Sequence, residues 1–253
     1  MMKVQLLRNA SLVLTVREKT ILVDPYLAPK GTYNAFDFTG NDRRNPLVDL
    51  PLSEQQLADL ITHTDAVLLT HIHSDHWDDK ARELLSENIP VLCQPVNEAS
   101  IREQGFKNVT PVADELIWEG IKIGRTGGRH GTGQIGERMG IVSGYVISDG
   151  AEVIYIAGDT IWCEEVQQAL DKYKPAKIIV NGGGARFIEG DAIVMDVPDI
   201  LQVCNHAPAA SVWVVHLEAV NHGKQSREEI RKALQEHRLS DRCFVPEDGG
   251  ILF

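Results

Sequence analysis

The chain alternates short apolar segments typical of β-strands with amphipathic segments typical of helices. Near its start, apolar residues at 3–7, 12–16 and 20–23 are separated by short polar breaks, which predicts three strands of a meander. Residues 29–51 are polar and rich in Gly, Asn and Arg, and they lack apolar periodicity. We expect a loop there, and loops of this length are more often functional or mobile than filler.

Helix signals and strand signals alternate along the rest of the chain. Ser53 with Gln56, and Ser226 with Glu229, have the form of a capping box that begins a helix, and the first of these helices should end near His63. Periodicity predicts further helices over 77–87 and up to residue 173, and further strands over 66–70, from 91, and over 121–124, 153–157, 176–180 and 211–215.

An initial meander followed by alternating strands and helices predicts two sheets packed face to face with helices on the outside. This places the chain in the α/β (α+β) class. No shift in composition marks a linker, so residues 1–253 are expected to form a single domain.

The charge of the chain narrows its partners. Its 25 basic and 36 acidic residues give a net charge of −11, which repels nucleic-acid phosphate and anionic lipid over most of the surface. We therefore expect neither a nucleic-acid nor a membrane partner. Lys3 and Arg8 interrupt the segment where a secretory signal would need an unbroken apolar run, which favours a cytoplasmic location.

Cysteine usage supports the same location. Cys93, Cys163, Cys204 and Cys243 lie at least 39 residues apart and form no CxxC pair. This spacing argues against a thiolate zinc site and against a disulfide framework, and it is typical of a reducing compartment. Each cysteine is expected to be a small buried apolar residue.

The strongest chemical signal directly follows the predicted strand 66–70. Residues 70–78 read Thr-His-Ile-His-Ser-Asp-His-Trp-Asp, so three histidines and one aspartate fall within six residues. One turn of this composition can hold two metal ions close together. Its alternative interpretation, a solvated polar loop, leaves the histidines without a role.

The pattern His71-x-His73-x-Asp75-His76 resembles the signature of the metallo-β-lactamase superfamily, and further matching residues follow in order across nearly the whole chain. The resemblance implies a four-layer αββα sandwich with metals at one edge of the two sheets. It also implies a first metal on His71, His73 and His130, a second on Asp75, His76 and a final histidine, a bridging carboxylate from Asp159, and an orienting aspartate, Asp24, behind the site.

Several of these residues have alternative interpretations. His130 lies in a flexible glycine-containing loop and could be exposed, Asp159 could cap a helix, and Asp24-Pro25 could form a plain turn. The final ligand is either His216, at the end of a predicted strand, or His222. The strand-end position favours His216, and His222 would then face the substrate from beyond the metals.

The implied ligands are all nitrogen and oxygen, which favours Zn²⁺ and keeps Mn²⁺ and Fe²⁺ as alternatives. Two cations roughly 3.5 to 4 Å apart lower the pKa of a shared water and generate hydroxide at neutral pH. The predicted function is hydrolysis of a small ester, lactone or phosphoester, with Asp75 accepting a proton. The chain looks most like relatives of L-ascorbate-6-phosphate lactonase, but it has Arg8-Asn9-Ala10-Ser11 where a Gly-His-Ala turn is common.

Substrate preference is expected to come from loops. Basic side chains near the motifs either reach the pocket, which would suit a small anionic substrate, or are ordinary surface charges. They are Arg43, Arg44, Arg129, Arg186 and Lys224. Residues 182–184 are three consecutive glycines, which either cradle an anion or make a tight turn. There are two alternative functions: a phosphodiesterase or nuclease, and a regulatory protein that binds metal without turnover. The sequence leaves open whether the chain forms a homo-oligomer.

Overall fold

A computed structural model describes residues 2–253, so Met1, the first residue of the predicted domain, lies outside it. Two sheets form the centre of the molecule. The first has six strands in sequence order, antiparallel from β1 to β3 and parallel from β3 to β6. Its strands are β1 (Lys3–Arg8), β2 (Ser11–Val16), β3 (Lys19–Val23), β4 (Ala66–Leu69), β5 (Val91–Cys93) and β6 (Val109–Pro111).

The second sheet has seven strands, and neighbouring strands run antiparallel from β7 to β10 and parallel from β10 to β13. They are β7 (Glu115–Trp118), β8 (Ile121–Thr126), β9 (Gly144–Ser148), β10 (Val153–Ile156), β11 (Lys177–Asn181), β12 (Ser211–Val215) and β13 (Cys243–Phe244). The helices are α1 (Glu54–Thr62), α2 (Asp79–Leu84), α3 (Glu98–Glu103), α4 (Gly133–Met139), α5 (Glu164–Tyr173), α6 (Val197–His206) and α7 (Arg227–Glu236).

Three apolar clusters give the molecule four layers. The central cluster joins the inner faces of both sheets, from Leu14 on β2 to Ile147 on β9 and Trp213 on β12. A second cluster packs α5, α6 and α7 on the outside of the second sheet, and a third packs α2 and α3 on the outside of the first. The predicted arrangement of two sheets with helices outside is confirmed.

The central cluster gives a test of the packing. Leu14 is fully buried between the sheets, so Leu14→Ala should lower the free energy of unfolding by roughly 2–5 kcal/mol through lost contacts and a cavity. Ile117 on β7 is 74 % exposed, and Ile117→Ala should change stability by less than about 0.5 kcal/mol. Urea unfolding followed by circular dichroism measures both, and equal losses would contradict this account of the core.

Capping residues and periodicity predicted where most of the expected helices and strands begin and end, but the helix predicted over 77–87 requires a correction. Both capping boxes form, at Ser53 and at Ser226. The helix predicted over 77–87 is shorter, because the Asp78 carboxylate accepts from the Ala81 N–H and starts α2 at residue 79. Trp77, 1 % exposed, instead packs in the core and donates from Nε1 to Gln104.

The long loop predicted over 29–51 contains no strand or helix, and it is fixed at its base. Arg8 is fully buried and donates to the carbonyls of Tyr26, Ala28 and Val48. The carboxylate of Asp78 accepts from the backbone N–H of Ala28 at 2.8 Å. A buried guanidinium and a buried carboxylate therefore hold the loop beside the turn that carries the histidine motif.

The last residues connect the two sheets. After β13 the chain crosses to β1, where Leu6 N–H donates to the Gly250 carbonyl and Leu252 N–H donates to the Val4 carbonyl. Val4 N–H in turn donates to the Phe253 carbonyl at 3.1 Å. The outer side of β1 is thereby covered by the end of the same chain.

All four cysteines are buried and free, as predicted. Over residues 2–253, no helix combines the length and the apolar character needed to cross a bilayer.

Candidate metal centre

The predicted site residues lie where the carboxyl ends of strands from both sheets meet. Asp24 follows β3 and the histidine motif follows β4, and these two strands run parallel. In the other sheet, Asp159 follows β10 and His216 directly follows β12, again from parallel strands. Parallel neighbours end at the same edge of a sheet, so strand direction alone brings distant segments together.

Three histidines form the first set of side chains, which we call the histidine group: His71, His73 and His130. One ligand atom from each lies within 4.8 Å of the others. His71 Nε2 is 3.0 Å from His73 Nδ1. His130 is 2 % exposed, so the structure excludes the interpretation of an exposed loop residue.

Four side chains form the second set, the carboxylate group: Asp75, His76, Asp159 and His216. All four are buried, and one ligand atom from each lies within 4.8 Å of the others. His216 Nε2 is 3.2 Å from Asp75 Oδ2, and His76 Nε2 is 3.2 Å from Asp159 Oδ2. His222 belongs to neither group, so the geometry favours His216 over His222 as the final ligand.

Asp159 contacts both groups. Its Oδ2 lies 3.2 Å from His76 Nε2 and 3.7 Å from His216 Nε2 in the carboxylate group, and 3.6 Å from His130 Nε2 in the histidine group. This is the position that a bridging carboxylate requires.

Asp24 lies behind the groups and orients two of their members. It accepts from the backbone N–H and the hydroxyl of Thr70 at 2.8 and 2.6 Å, and from His76 Nδ1 at 2.9 Å. Because the Thr70 hydroxyl donates to Asp24, it can accept from His71 Nδ1, 3.0 Å away. Both imidazoles then carry their proton on Nδ1 and present a bare Nε2 to the centre.

His130 follows the same rule, because its Nδ1 donates to the Ile193 carbonyl at 2.7 Å. With its Nδ1 bonded to Asp24, His76 turns its other ring nitrogen, Nε2, toward the centre. It is buried and lacks a hydrogen-bond partner, although it faces Asp159 Oδ2 at 3.2 Å and Asp75 Oδ2 at 3.8 Å. Histidine nitrogens and carboxylate oxygens that lie this close together are a good fit for divalent cations with nitrogen and oxygen ligands.

The electrostatics of the two groups differ. Burial lowers the pKa of His71 well below its ordinary value and lowers that of His130 to about 4, so both rings are neutral at pH 7. Burial also acts against charge on His76, but the carboxylates around it, led by Asp159, raise its pKa well above the ordinary value. Burial would raise the pKa of Asp75, but His76 and His216 hold it below its usual range. The carboxylate group thus favours a positive charge at its centre.

A cavity of about 290 Å³ opens onto both groups. Three aromatic side chains and one thioether line it beside the polar residues, and these are Phe36, Phe38, Phe187 and Met139. His73, Asp75, His130, Asp159 and His222 complete the wall with Asp37 and Ser74. The cavity therefore combines apolar side chains with candidate ligands.

The sequence matches the family model of the Beta-lactamase superfamily domain over residues 19–217. The chain belongs to the metallo-β-lactamase superfamily. It is 40 % identical over 254 residues to UPF0173 protein YddR of Bacillus subtilis, and the match covers 98 % of each chain. The predicted four-layer αββα sandwich of this superfamily is confirmed.

Two solved structures are similar over nearly their whole length. One is a possible metal-dependent hydrolase from Veillonella parvula, with a TM-score of 0.94, 35 % identity, and coverage of 100 % of this chain and 99 % of that one. The other is an isothiocyanate hydrolase from Delia radicum gut bacteria, with a TM-score of 0.93, 34 % identity, and coverage of 99 % and 98 %. The prediction of a metal-dependent hydrolase is confirmed at this level, and the likeness to the lactonase branch stays a prediction.

The structure places the five basic residues of the predicted substrate contacts outside the cavity, and their role stays a prediction. None of the five predicted residues lines the cavity. Arg129 pairs with Glu165, Arg186 lies 3.9 Å from Asp196, and Arg44 donates to backbone carbonyls within its own loop. Arg43 and Lys224 line a separate cavity of about 170 Å³. Arg44, Arg129 and Arg186 thus have partners outside the cavity.

The three glycines at 182–184 form a tight turn. The Gly182 N–H donates to the Val215 carbonyl and the Gly184 N–H donates to the Met195 carbonyl, so both are already used. A Cβ on Gly182 would lie 2.5 Å from Val214 Cγ1. Close packing, rather than an anion, accounts for glycine here.

His222 lies in the cavity wall between two aromatic rings. Its ring meets Phe36 edge to face at 4.9 Å and stacks on Phe187 at 6.4 Å. Burial lowers its pKa to about 4, so the imidazole is neutral at pH 7. It is placed to contact a substrate.

Sequence reasoning overlooked two asparagines at the centre. Asn9 donates to Asp75, and Asn181 donates to Asp159. In the sequence, Asn9 belongs to a turn that differs from the Gly-His-Ala turn of similar proteins, and Asn181 precedes the three glycines. Sequence reasoning also missed the phenylalanines that line the cavity, although Phe36 and Phe38 lie in an otherwise polar loop.

Proposed function

We propose that this enzyme hydrolyses a small uncharged molecule that carries an apolar substituent, using two divalent metal ions. The observation that carries the proposal is the composition of the 290 Å³ cavity, which combines three phenylalanines with both ligand groups and includes no lysine or arginine. The proposed metal ions would take up the charge of Asp75 and Asp159, but beyond them an anionic group would find no basic side chain in the cavity and would meet Asp37. A neutral substrate has no such penalty.

The proposed ligands follow the two groups: the histidine group would hold one ion, and the carboxylate group, which includes Asp159, would hold the other. Bound there, two divalent cations supply a water-derived nucleophile at neutral pH and polarise the substrate. Zn²⁺ is the first choice for this donor set, with Mn²⁺ and Fe²⁺ as alternatives.

Three residues of the chain then have roles in the reaction. Asp75 reaches the cavity wall, and as an ionised carboxylate it can accept the proton that the nucleophile releases. His222 can donate a ring N–H to the heteroatom of the substrate that becomes negative. Phe36 holds the His222 ring and excludes water from that side.

Organic isothiocyanates are the substrate class we favour, since a similar protein with 34 % identity and full coverage is an isothiocyanate hydrolase. Their central carbon is electrophilic, the group is uncharged and linear, and the substituent is apolar. Addition of one water forms a carbon–oxygen bond and gives a thiocarbamic acid. Cleavage of its carbon–nitrogen bond then releases an amine and carbonyl sulfide, which balances the reaction.

Neutral lactones and esters share the electrophilic carbon and the lack of charge, so they form the comparison set. Phosphoesters rank lower because, beyond the proposed metal ions, the wall offers their charged oxygens no lysine or arginine. The same observation argues against a phosphodiesterase or nuclease.

The test is a panel assay on purified protein after its metal content has been measured. Phenyl and alkyl isothiocyanates, neutral lactones, neutral esters and phosphodiesters are compared by kcat/KM. We expect the isothiocyanates to rank first and the phosphodiesters last. Preference for phosphodiesters would refute the substrate class, and two bound metals without turnover of any class would favour a regulatory protein.

The choice of final ligand has its own test. His216→Ala should reduce the bound metal from two ions per chain to one, because His216 Nε2 faces both carboxylates of its group. His222→Ala should keep both ions and lose activity. Metal analysis of both variants decides, and retention of two ions by His216→Ala would contradict the assignment.

A further inference from the structure

Each carboxylate of the carboxylate group receives an N–H from a buried asparagine. Asn181 Nδ2 donates to Asp159 Oδ1 at 2.6 Å. Asn9 Nδ2 donates to the Asp75 carbonyl at 3.0 Å and lies 3.4 Å from Asp75 Oδ2. Asn9 is 0 % exposed and Asn181 is 2 % exposed, so water does not replace these contacts.

Asn9 links segments that belong to different sheets. It occupies the turn between β1 and β2 with a φ of 56°, a left-handed conformation that asparagine tolerates better than most residues. Its carbonyl accepts from the His216 N–H at 2.8 Å, while its side chain donates to Asp75. One residue therefore sets the spacing between two members of the carboxylate group.

The amide orientation of Asn9 is fixed by its surroundings. Turning the amide over would place Oδ1 against two oxygens of Asp75, so Nδ2 must face them. Oδ1 is then buried without a partner. In this orientation the side chain of Asn9 acts on Asp75 as a donor.

Asn181 acts from the second sheet. It is the last residue of β11 and pairs in register with Val215, the residue before His216. Its N–H holds Asp159 Oδ1, which leaves Oδ2 facing the histidine nitrogens at 3.2 to 3.7 Å. The amide thus selects which oxygen of Asp159 is presented to the centre.

We infer that Asn9 and Asn181 are positioning residues that orient Asp75 and Asp159 for metal binding through neutral donors. A lysine or arginine could hold the same oxygens, but its charge would repel a divalent cation nearby. A neutral amide fixes the rotamer and leaves the full negative charge of both carboxylates for the metal. This inference rests on the proposed metal-binding function.

The experiment removes the donor at each position with little other change. Asn9→Gly removes the side chain while tolerating the positive φ, and Asn181→Leu keeps the branched shape of the side chain with the same number of heavy atoms. Asn9→His keeps a donor, since its Nδ1 is as far from the backbone as the amide nitrogen and histidine also tolerates positive φ. Asn45→Ala is the control, because Asn45 is a buried asparagine bonded to Asn221 rather than to a ligand.

Zn²⁺ affinity is measured by competition with a chelating dye, and coordination by the visible spectrum of the Co²⁺-loaded proteins. We expect Asn9→Gly and Asn181→Leu to weaken the second Zn²⁺ equivalent by about 10- to 100-fold and to shift the Co²⁺ bands. Asn9→His and Asn45→Ala should match the wild type in both measurements. Thermal unfolding of each metal-free variant separates loss of fold from loss of metal.

Wild-type affinity and an unchanged Co²⁺ spectrum in either donor-removing variant would overturn the role of that residue, and the hydrolase proposal would stand. If the wild type itself takes up only one Zn²⁺, the two-metal part of the proposed function fails instead. Should Asn181→Leu not fold, Asn9→Gly still decides for Asp75. Should Asn9→Gly not fold, Asn181→Leu still decides for Asp159, and loss of the second Zn²⁺ from Asn9→His would overturn the donor role of Asn9.

Discussion

Asp159→Asn is expected to lower kcat/KM by roughly 100- to 1000-fold, a loss typical of removing a preorganised charge-stabilising contact. The substitution keeps the shape of the side chain and removes its charge. Asp159 Oδ2 lies within 3.7 Å of a nitrogen from each ligand group, so both metal ions should be affected. Steady-state kinetics together with metal analysis measure the two effects.

Asp171→Asn is the matched control for this change. Asp171 lies on α5 with a side chain that is 72 % exposed and pairs with His206. The control should keep both its metal content and its activity. An Asp159→Asn protein that keeps its activity within tenfold would be incompatible with a bridging role.

Removing metal with a chelator should lower the melting temperature by roughly 10 °C. A ligand present at 1000 times its Kd stabilises a folded protein by about 4 kcal/mol, and each kcal/mol corresponds to about 2–4 °C in a chain of this size. The physical reason is that the buried carboxylates and bare nitrogens lose the cation that satisfies them. Differential scanning calorimetry before and after metal is added back measures the shift.

The Asp159→Asn protein provides the comparison for this second experiment. With weaker metal binding, its melting temperature should respond much less to the chelator. A wild-type protein that melts at the same temperature with and without chelator would show that the two groups do not bind metal tightly.

Much of the fold could be predicted because its signals are local. The capping boxes at Ser53 and Ser226, and the strands that lead into the motif and into His216, depend on neighbouring residues only. The composition of the candidate site was also readable, since four of its residues lie within one turn. The start of α6 was readable too, with Asp196 as its cap and a proline in its first turn, but it was overlooked.

What could not be predicted depends on contacts between distant segments. Asn9 and Asp75 are 66 residues apart in sequence, and nothing near either residue indicates their hydrogen bond. The partners of the basic side chains could not be predicted for the same reason. Arg44, for example, donates to backbone carbonyls of its own loop. Short elements such as α4 lack the apolar periodicity of a longer helix, and α4 buries no residue.

The crossing of the chain from β13 to β1 has a consequence for how the molecule is made on the ribosome. The meander is synthesised well before residues 249–253, which cover the outer side of β1. Until then β1 presents an open edge with free N–H and C=O groups, the kind of edge that pairs with other chains. We therefore expect nascent chains that stall before residue 249 to be prone to aggregation even when both sheets have already formed.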